Sequence, residues 1–146
     1  MRCEFSANRS TVADIDAHLR QCANEFVPPL HERVDVLAYA GKLKEFAVLC
    51  EAWENEKLIG LVAGYCNDSD KKESFISNVS VAPEWQGQGI AATLLNKFCD
   101  IAAKRGFAMV GLQVNIHNKK AQAVYEKIGF VAQDICGADL NMTRNL

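Results

Sequence analysis

The chain has 146 residues, 49% of them apolar, enough to bury a core as one domain over 1–146 and too few for two. A formal net charge of -2, with 23% charged residues, supplies no field that would hold the chain on nucleic acid or an anionic membrane, and a small-molecule partner fits better. The six cysteines, Cys3, Cys22, Cys50, Cys66, Cys99 and Cys136, stand singly without zinc-ligand spacing, so reduced thiols, a cytoplasmic location and no metal are expected.

At the start, Met1 to Ser10 lacks the apolar stretch of a signal peptide, and no run approaches the roughly 18 apolar residues of a membrane span. A weak strand is expected near Cys3-Phe5. Val12, Ile15, Leu19 and Cys22 then follow helical spacing within Thr11 to Phe26, with Ser10 or Thr11 as cap. Pro28 and Pro29 interrupt that helix, because proline has no amide hydrogen to donate. A second short helix spans roughly Val34 to Phe46.

The period changes next. Ala47 to Trp53 and Leu58 to Cys66 are β-prone runs joined by Glu54-Asn55-Glu56-Lys57, which reads as a hairpin. Asn67 to Lys72 is a second turn, and Phe75 to Val81 a strand closed by Ala82-Pro83-Glu84. From Ile90 to Arg105, Leu94, Leu95, Phe98, Ile101 and Ala102 line one helical face, which Gly106 can end in left-handed geometry. Met109 to Val114 is a strand, Asn118 is placed to cap a helix from Lys119 to about Ile128, and Gly129 follows it. Phe130 to Asp134 and Asp139 to Thr143 are the last, weaker strands; as edge strands they could pair between subunits, which leaves a homodimer open.

Two glycines one residue apart, Gly87 and Gly89, sit where a strand feeds a helix. Glycine lets the backbone turn its amides towards a ligand, and a helix start presents unpaired N–H groups with positive partial charge, which together suit phosphate oxygens. A tight turn alone would also explain them. A dinucleotide fingerprint would need a ribose-binding acid about 20 residues on, and Phe107 to Asn118 holds no carboxylate. No Walker lysine follows Gly89.

The pattern Gln/Arg-x-x-Gly-x-Gly/Ala, met by Gln86, Gly89 and Ala91 and preceded by Val79-Ser80-Val81-Ala82-Pro83-Glu84-Trp85, resembles the coenzyme A motif of the GNAT superfamily of acetyl-CoA-dependent N-acetyltransferases. Asn118, Ala121, Tyr125 and Gly129-Phe130 resemble that family's second, coenzyme-proximal motif. The resemblance implies an α+β fold, an α/β sandwich whose mixed central sheet of about six or seven strands is flanked by about four helices. It implies acetyl-CoA as cosubstrate, held by the main chain of Val79, Ser80 and Val81 and by Gln86, Gly87, Gln88, Gly89, Ile90 and Ala91, with Asn118 contacting the coenzyme or capping its helix.

By the same resemblance Tyr125 is the general acid that protonates the departing thiolate; read alone, it would be a core aromatic. The attacking amine must shed a proton, since an alkylammonium has a pKa of about 10.4. Many family members carry a glutamate for this on the strand before the motif, and Ser77 stands there instead. Asn78 and Ser80 could hold a water, while Glu73 lies early on the strand and His18 and His117 are weaker candidates. The segment Phe26 to Arg33, with Phe26, His31 and Glu32, is the expected specificity element, and His31 a candidate base. A small-molecule amine such as an amino sugar is the expected acceptor, because an uncharged sugar amine tolerates a missing carboxylate. A protein or peptide N-acetyltransferase and a non-catalytic acyl-CoA-binding module are the alternatives.

Overall fold

The computed structural model describes residues 2–68, 70 and 72–146. Seven strands form one sheet in the order β1-β2-β3-β4-β5-β7-β6. They are β1 (Glu4–Ala7), β2 (Val48–Glu54), β3 (Lys57–Tyr65), β4 (Glu73–Val81), β5 (Met109–Asn115), β6 (Val131–Cys136) and β7 (Asp139–Asn145). Four α-helices accompany them: α1 (Val12–Cys22), α2 (Val36–Phe46), α3 (Ile90–Lys104) and α4 (Lys119–Lys127). The mixed sheet and four helices agree with the α+β architecture expected. Of the turn expected at Asn67 to Lys72, Ser69 and Lys71 lie outside the described residues.

Several boundaries differ from the sequence reading for local reasons. Helix α1 stops at Cys22 and the chain tightens into a 3-10 turn, Ala23–Glu25, four residues short of the expected Phe26. Thr11 is its cap, closing a reciprocal box with Asp14, while Ser10 is drawn away to Glu51. Helix α2 begins at Val36 because the Asp35 carboxylate caps Ala38 N–H, at 3.1 Å. The first strand starts one residue late and runs to Ala7, and both terminal strands are longer than their weak patterns suggested.

Two apolar cores cover the sheet. On one face Ile15 and Leu19 of α1 and Ala40 and Leu43 of α2 meet Leu49, Leu61 and Ala63. In the other core Leu94, Leu95 and Phe98 of α3 meet Cys50, Ile59, Val62 and Ile76, and Tyr125 of α4 joins them. Each such fully buried Leu or Phe contributes about 1.5–3 kcal/mol relative to exposure. Covered on both faces, the interior strand β2 is buried from Val48 to Trp53, which is why it reads as a continuous rather than alternating run.

Two irregularities in β4 open the sheet towards a ligand. Ala63 pairs with Asn78 but Gly64 pairs with Ile76, so Ser77 is an extra, bulged residue. The bulge resets the two-residue alternation, sending Ile76 into the α3 core while Asn78 and Ser80 face α1 and α2. In addition, β4 and β5, the one parallel pair, share a ladder only from Glu73 to Ile76 against Met109 to Leu112. Beyond Ile76 β4 runs on to Val81 and β5 on to Asn115 without pairing, and the sheet splays there.

Candidate active site

The opening between β4 and β5 is a cavity of about 680 Å³. Its walls include the β4 residues Ser77 to Val81, Gln86 and Gly87 of the turn, the helix start from Gly89 to Ala92, and Ala121, Val124, Tyr125 and Ile128 of α4. Along Val79 to Val81 the backbone is hydrogen-bonded to β3 on one side and has no strand on the other, so an extended ligand can lie there as if it were a strand.

At one end stands the glycine turn. Gly87 and Gly89 hold φ of 78° and 79°, a region costly to side chains, and an added Cβ would meet nothing within 4 Å at either. The backbone, not packing, requires glycine at both. Gly89 caps α3 without a side-chain acceptor, leaving the first amides of a 15-residue helix for a ligand. The Gln86 amide ties this turn to its surroundings, donating to Val81 O at 3.2 Å and accepting from Lys120 Nζ at 3.2 Å. Lys120 and Lys127 also line the cavity, adding positive charge. Gln88 is exposed and lies off the wall, whereas Val79, Ser80, Val81, Gln86, Gly87, Gly89, Ile90, Ala91 and Asn118 lie on it. The Asn118 carboxamide caps α4 by accepting from Ala121 N–H at 3.2 Å.

Tyr125 projects from α4 into the same wall, 8% exposed, its hydroxyl making no hydrogen bond among the described residues. Burial alone pushes its hydroxyl up to about 12, so it keeps its proton at neutral pH and can donate it.

The other end is built differently. Phe26, Val27, Leu30 and Val34 give it apolar walls together with Phe75, and Glu25 and Arg33 bring one charge of each sign. Phe26 and Asn78 are on the wall, while His31 and Glu32 are exposed in a 3-10 turn and point elsewhere; their neighbours Leu30 and Arg33 take that place. Glu73 and His117 are exposed and off the wall. Ser77 bonds the Tyr39 hydroxyl of α2, which lies 2.5 Å from Ser77 Oγ and 3.2 Å from Ser77 O. Behind it, His18 Nε2 sits 2.9 Å from Ser80 Oγ, which donates to Asn78 Oδ1 at 2.9 Å. No sequence signal points to Tyr39, which tertiary packing places, while Arg33 closes the expected specificity segment and Lys120 lies within the second motif, though neither is singled out there. Among the described residues no three His, Cys, Asp or Glu side chains cluster as metal ligands.

The cavity thus joins a cationic, amide-rich end to a neutral, largely apolar one, with a protonated tyrosine on its wall. The amide-rich turn and the two lysines suit the pyrophosphate of coenzyme A, and the open edge of β4 suits its extended arm. Among proteins with related sequences, an uncharacterized N-acetyltransferase of Methanocaldococcus jannaschii is 34% identical over 102 residues, 67% of this chain and 44% of that protein. The [ribosomal protein bS18]-alanine N-acetyltransferase of Escherichia coli is 40% identical over 58 residues, 40% of this chain and 39% of that one. The alignments therefore span less than half the length of these curated relatives. The fold is shared with the PaiA N-acetyltransferase of Thermoplasma acidophilum in complex with coenzyme A, at a TM-score of 0.78 and 18% identity over 100% of both chains. It is shared too with the ribosomal-protein-S18-alanine N-acetyltransferase of Escherichia coli, at a TM-score of 0.77 and 23% identity over 99% of this chain and 94% of that one. Residues 12–130 match the model of the acetyltransferase (GNAT) family, to which the chain belongs.

Proposed function

We propose that this protein transfers an acetyl group from acetyl-CoA to a primary amine by direct attack with both substrates bound. The observation that carries the reading is the continuity of the cleft, from the uncapped start of α3, along the unpaired edge of β4, to the Tyr125 hydroxyl. The turn from Gln86 to Ala91 and Lys120 would hold the pyrophosphate, and the main chain of Val79 to Val81 the pantetheine arm. A backbone N–H there would polarise the thioester carbonyl, a contribution worth about 10²–10³ in rate. As the amine nitrogen bonds to the carbonyl carbon and the C–S bond breaks, Tyr125 gives its proton to the leaving sulfur. The proton lost by the nitrogen passes to solvent and restores the phenol, so the products are the amide and free coenzyme A.

For the acceptor we infer a small primary amine. Phe26, Phe75, Val27 and Val34 suit an alkyl body or the apolar face of a sugar ring, and Arg33 opposes a polycation. A protein N-terminus is the second reading, favoured by the bS18-alanine N-acetyltransferase among the relatives. Six free cysteines support a reducing, cytoplasmic setting. The outer strand β6, with Val131 and Ile135 60% and 64% exposed, supports pairing with a second copy, which sedimentation would detect as a dimer.

Release of free thiol from acetyl-CoA, measured with small amines and with short peptides, tests the activity and separates the two acceptor readings. Amine-dependent release supports transfer; acetyl-CoA binding without release by any amine or peptide favours a binding module and defeats the proposal.

A further inference from the structure

A buried histidine that the proposed acetyl transfer does not use stands behind the Ser77 end of the cavity. His18 is 2% exposed on α1, and its Nε2 lies 2.9 Å from Ser80 Oγ. Ser80 has one hydroxyl hydrogen and two partners, the imidazole and the Asn78 carboxamide, each at 2.9 Å. If the hydroxyl donates to Asn78 Oδ1, it must accept from a protonated Nε2; if Nε2 carried the lone pair, the carboxamide would have to turn its NH2 towards Ser80. The imidazole tautomer and the direction of the carboxamide are therefore one variable. In the structure Oδ1 faces Ser80, which turns the NH2 of Asn78 towards the Tyr39 hydroxyl, on the wall of the cavity that both residues line.

The surroundings keep the ring uncharged. Burial, which outweighs hydrogen bonding of the ring to the Leu58 and Ser80 backbone carbonyls, lowers His18 to about 4, and Lys57 adds to the lowering, so the ring is neutral at pH 7. The thiol of Cys22, pushed up to about 12 by burial, stays protonated beside the ring, 3.9 Å from Nδ1 and 3.8 Å from Nε2, so the tautomer is set by Ser80. At the cavity, Tyr39 Oη and Ser77 Oγ are neutral hydroxyl oxygens able to accept from an amine, whereas the Asn78 NH2 and the Arg33 guanidinium are donors. The Arg33 guanidinium makes no ion pair or hydrogen bond among the described residues. An acceptor fits this set when its nitrogen is accompanied by an oxygen.

We propose that His18, as the Nε2–H tautomer, is a positioning residue that acts through Ser80 to hold the Asn78 NH2 towards the cavity, and that the site therefore selects an amine bearing a hydrogen-bond-accepting oxygen beside its nitrogen. This rests on the acetyl-transfer reading and narrows its acceptor class.

The test compares glycinamide with propylamine, similar in size but differing in that oxygen, in an amide nitrogen and in basicity, by the change between variants in the ratio of their kcat/KM values, from which the difference in basicity cancels. In wild type the ratio favours glycinamide. His18→Leu, which fills the space without a donor, lowers that ratio about 10-fold while KM for acetyl-CoA stays within about 2-fold; His18→Gln, whose amide can donate from the same place, restores it. Ser80→Ala breaks the same link from the strand and lowers the ratio equally, which keeps the test decisive if His18→Leu does not fold. Ring 15N shifts at pH 7 show the hydrogen on Nε2. A ratio unmoved by His18→Leu and Ser80→Ala, or a hydrogen found on Nδ1, overturns the assignment while leaving acetyl transfer intact. A wild type that releases thiol with no amine overturns the transfer reading itself.

Discussion

The Tyr125 ring meets Phe130 edge-on, with centroids 6.1 Å apart and an interplanar angle of 60°. That contact holds the ring whether or not it carries a hydroxyl, so Tyr125→Phe removes the proposed acid and keeps the packing. We expect kcat to fall by about 10²-fold, a typical general-acid contribution, with stability unchanged to within about 0.5 kcal/mol. Steady-state thiol release and urea unfolding on the same preparation check both halves. A mutant of full rate would return Tyr125 to the core it shares with Phe130.

Gly89 bears on the coenzyme end alone. Its φ of 79° costs a residue with a Cβ about 1–2 kcal/mol, and no atom lies close enough for the new methyl to clash. Gly89→Ala should lower stability by about that amount and raise KM for acetyl-CoA, because relief of the strain would re-aim the first amides of α3. KM for the amine should hold steady. Equal movement of both constants would mean that the turn serves the whole cleft.

A different glycine supports the bulge. A Cβ added at Gly64 would stand 2.5 Å from the Phe98 ring and 2.9 Å from Phe75 O, with a fully buried side chain on one side and backbone on the other. Gly64→Ala must shift α3 against β3 or disturb the pairing that bulges Ser77, and overpacking of this kind costs about 1–3 kcal/mol. The stability loss should be accompanied by a higher KM for the acceptor, since Ser77 and Tyr39 meet at that point. A stable variant of normal KM would show that the bulge does not depend on this contact.

The glycine-turn half of the cleft, where we propose that the coenzyme lies, was legible in the sequence as a geometry because it is local. Gln86, Gly87, Gly89 and Tyr125 sit on contiguous segments whose backbone geometry demands particular residue types at fixed spacing. The acceptor half was not, because Tyr39 reaches Ser77 across 38 residues and His18 reaches Ser80 across 62, pairings made only by packing α1 and α2 on the sheet. Glu51 behaves the same way within the fold. It stands in an apolar strand run and is fully buried, yet its carboxylate accepts from Ser6 Oγ, Arg9 N–H and both the amide and hydroxyl of Ser10, tying the β1–α1 connection to β2. Nothing in the neighbouring sequence of Glu51 announces those donors. His31 and Glu32 illustrate the converse, since polar residues after two prolines look like a recognition loop, and it is the less conspicuous Leu30 and Arg33 beside them that reach the wall.

The depressed pKa of His18 has a consequence for stability that needs no substrate. The folded protein holds the ring near 4 where the unfolded chain titrates near 6.5, so the unfolded state binds the proton first as pH falls. The stabilisation is fully present above pH 6.5 and is lost as pH falls through the folded value. Across that interval the loss is about 3 kcal/mol, given about 1.4 kcal/mol per pKa unit. His18→Gln cannot titrate, so the difference in unfolding free energy between wild type and variant should move by that amount between pH 7 and pH 4, with the variant gaining. Because every other carboxylate and histidine is common to the two proteins, their titrations cancel in the difference. Urea unfolding at half-unit pH steps would trace the curve, and a difference independent of pH would mean that the His18 ring is not held neutral against α1 and β4.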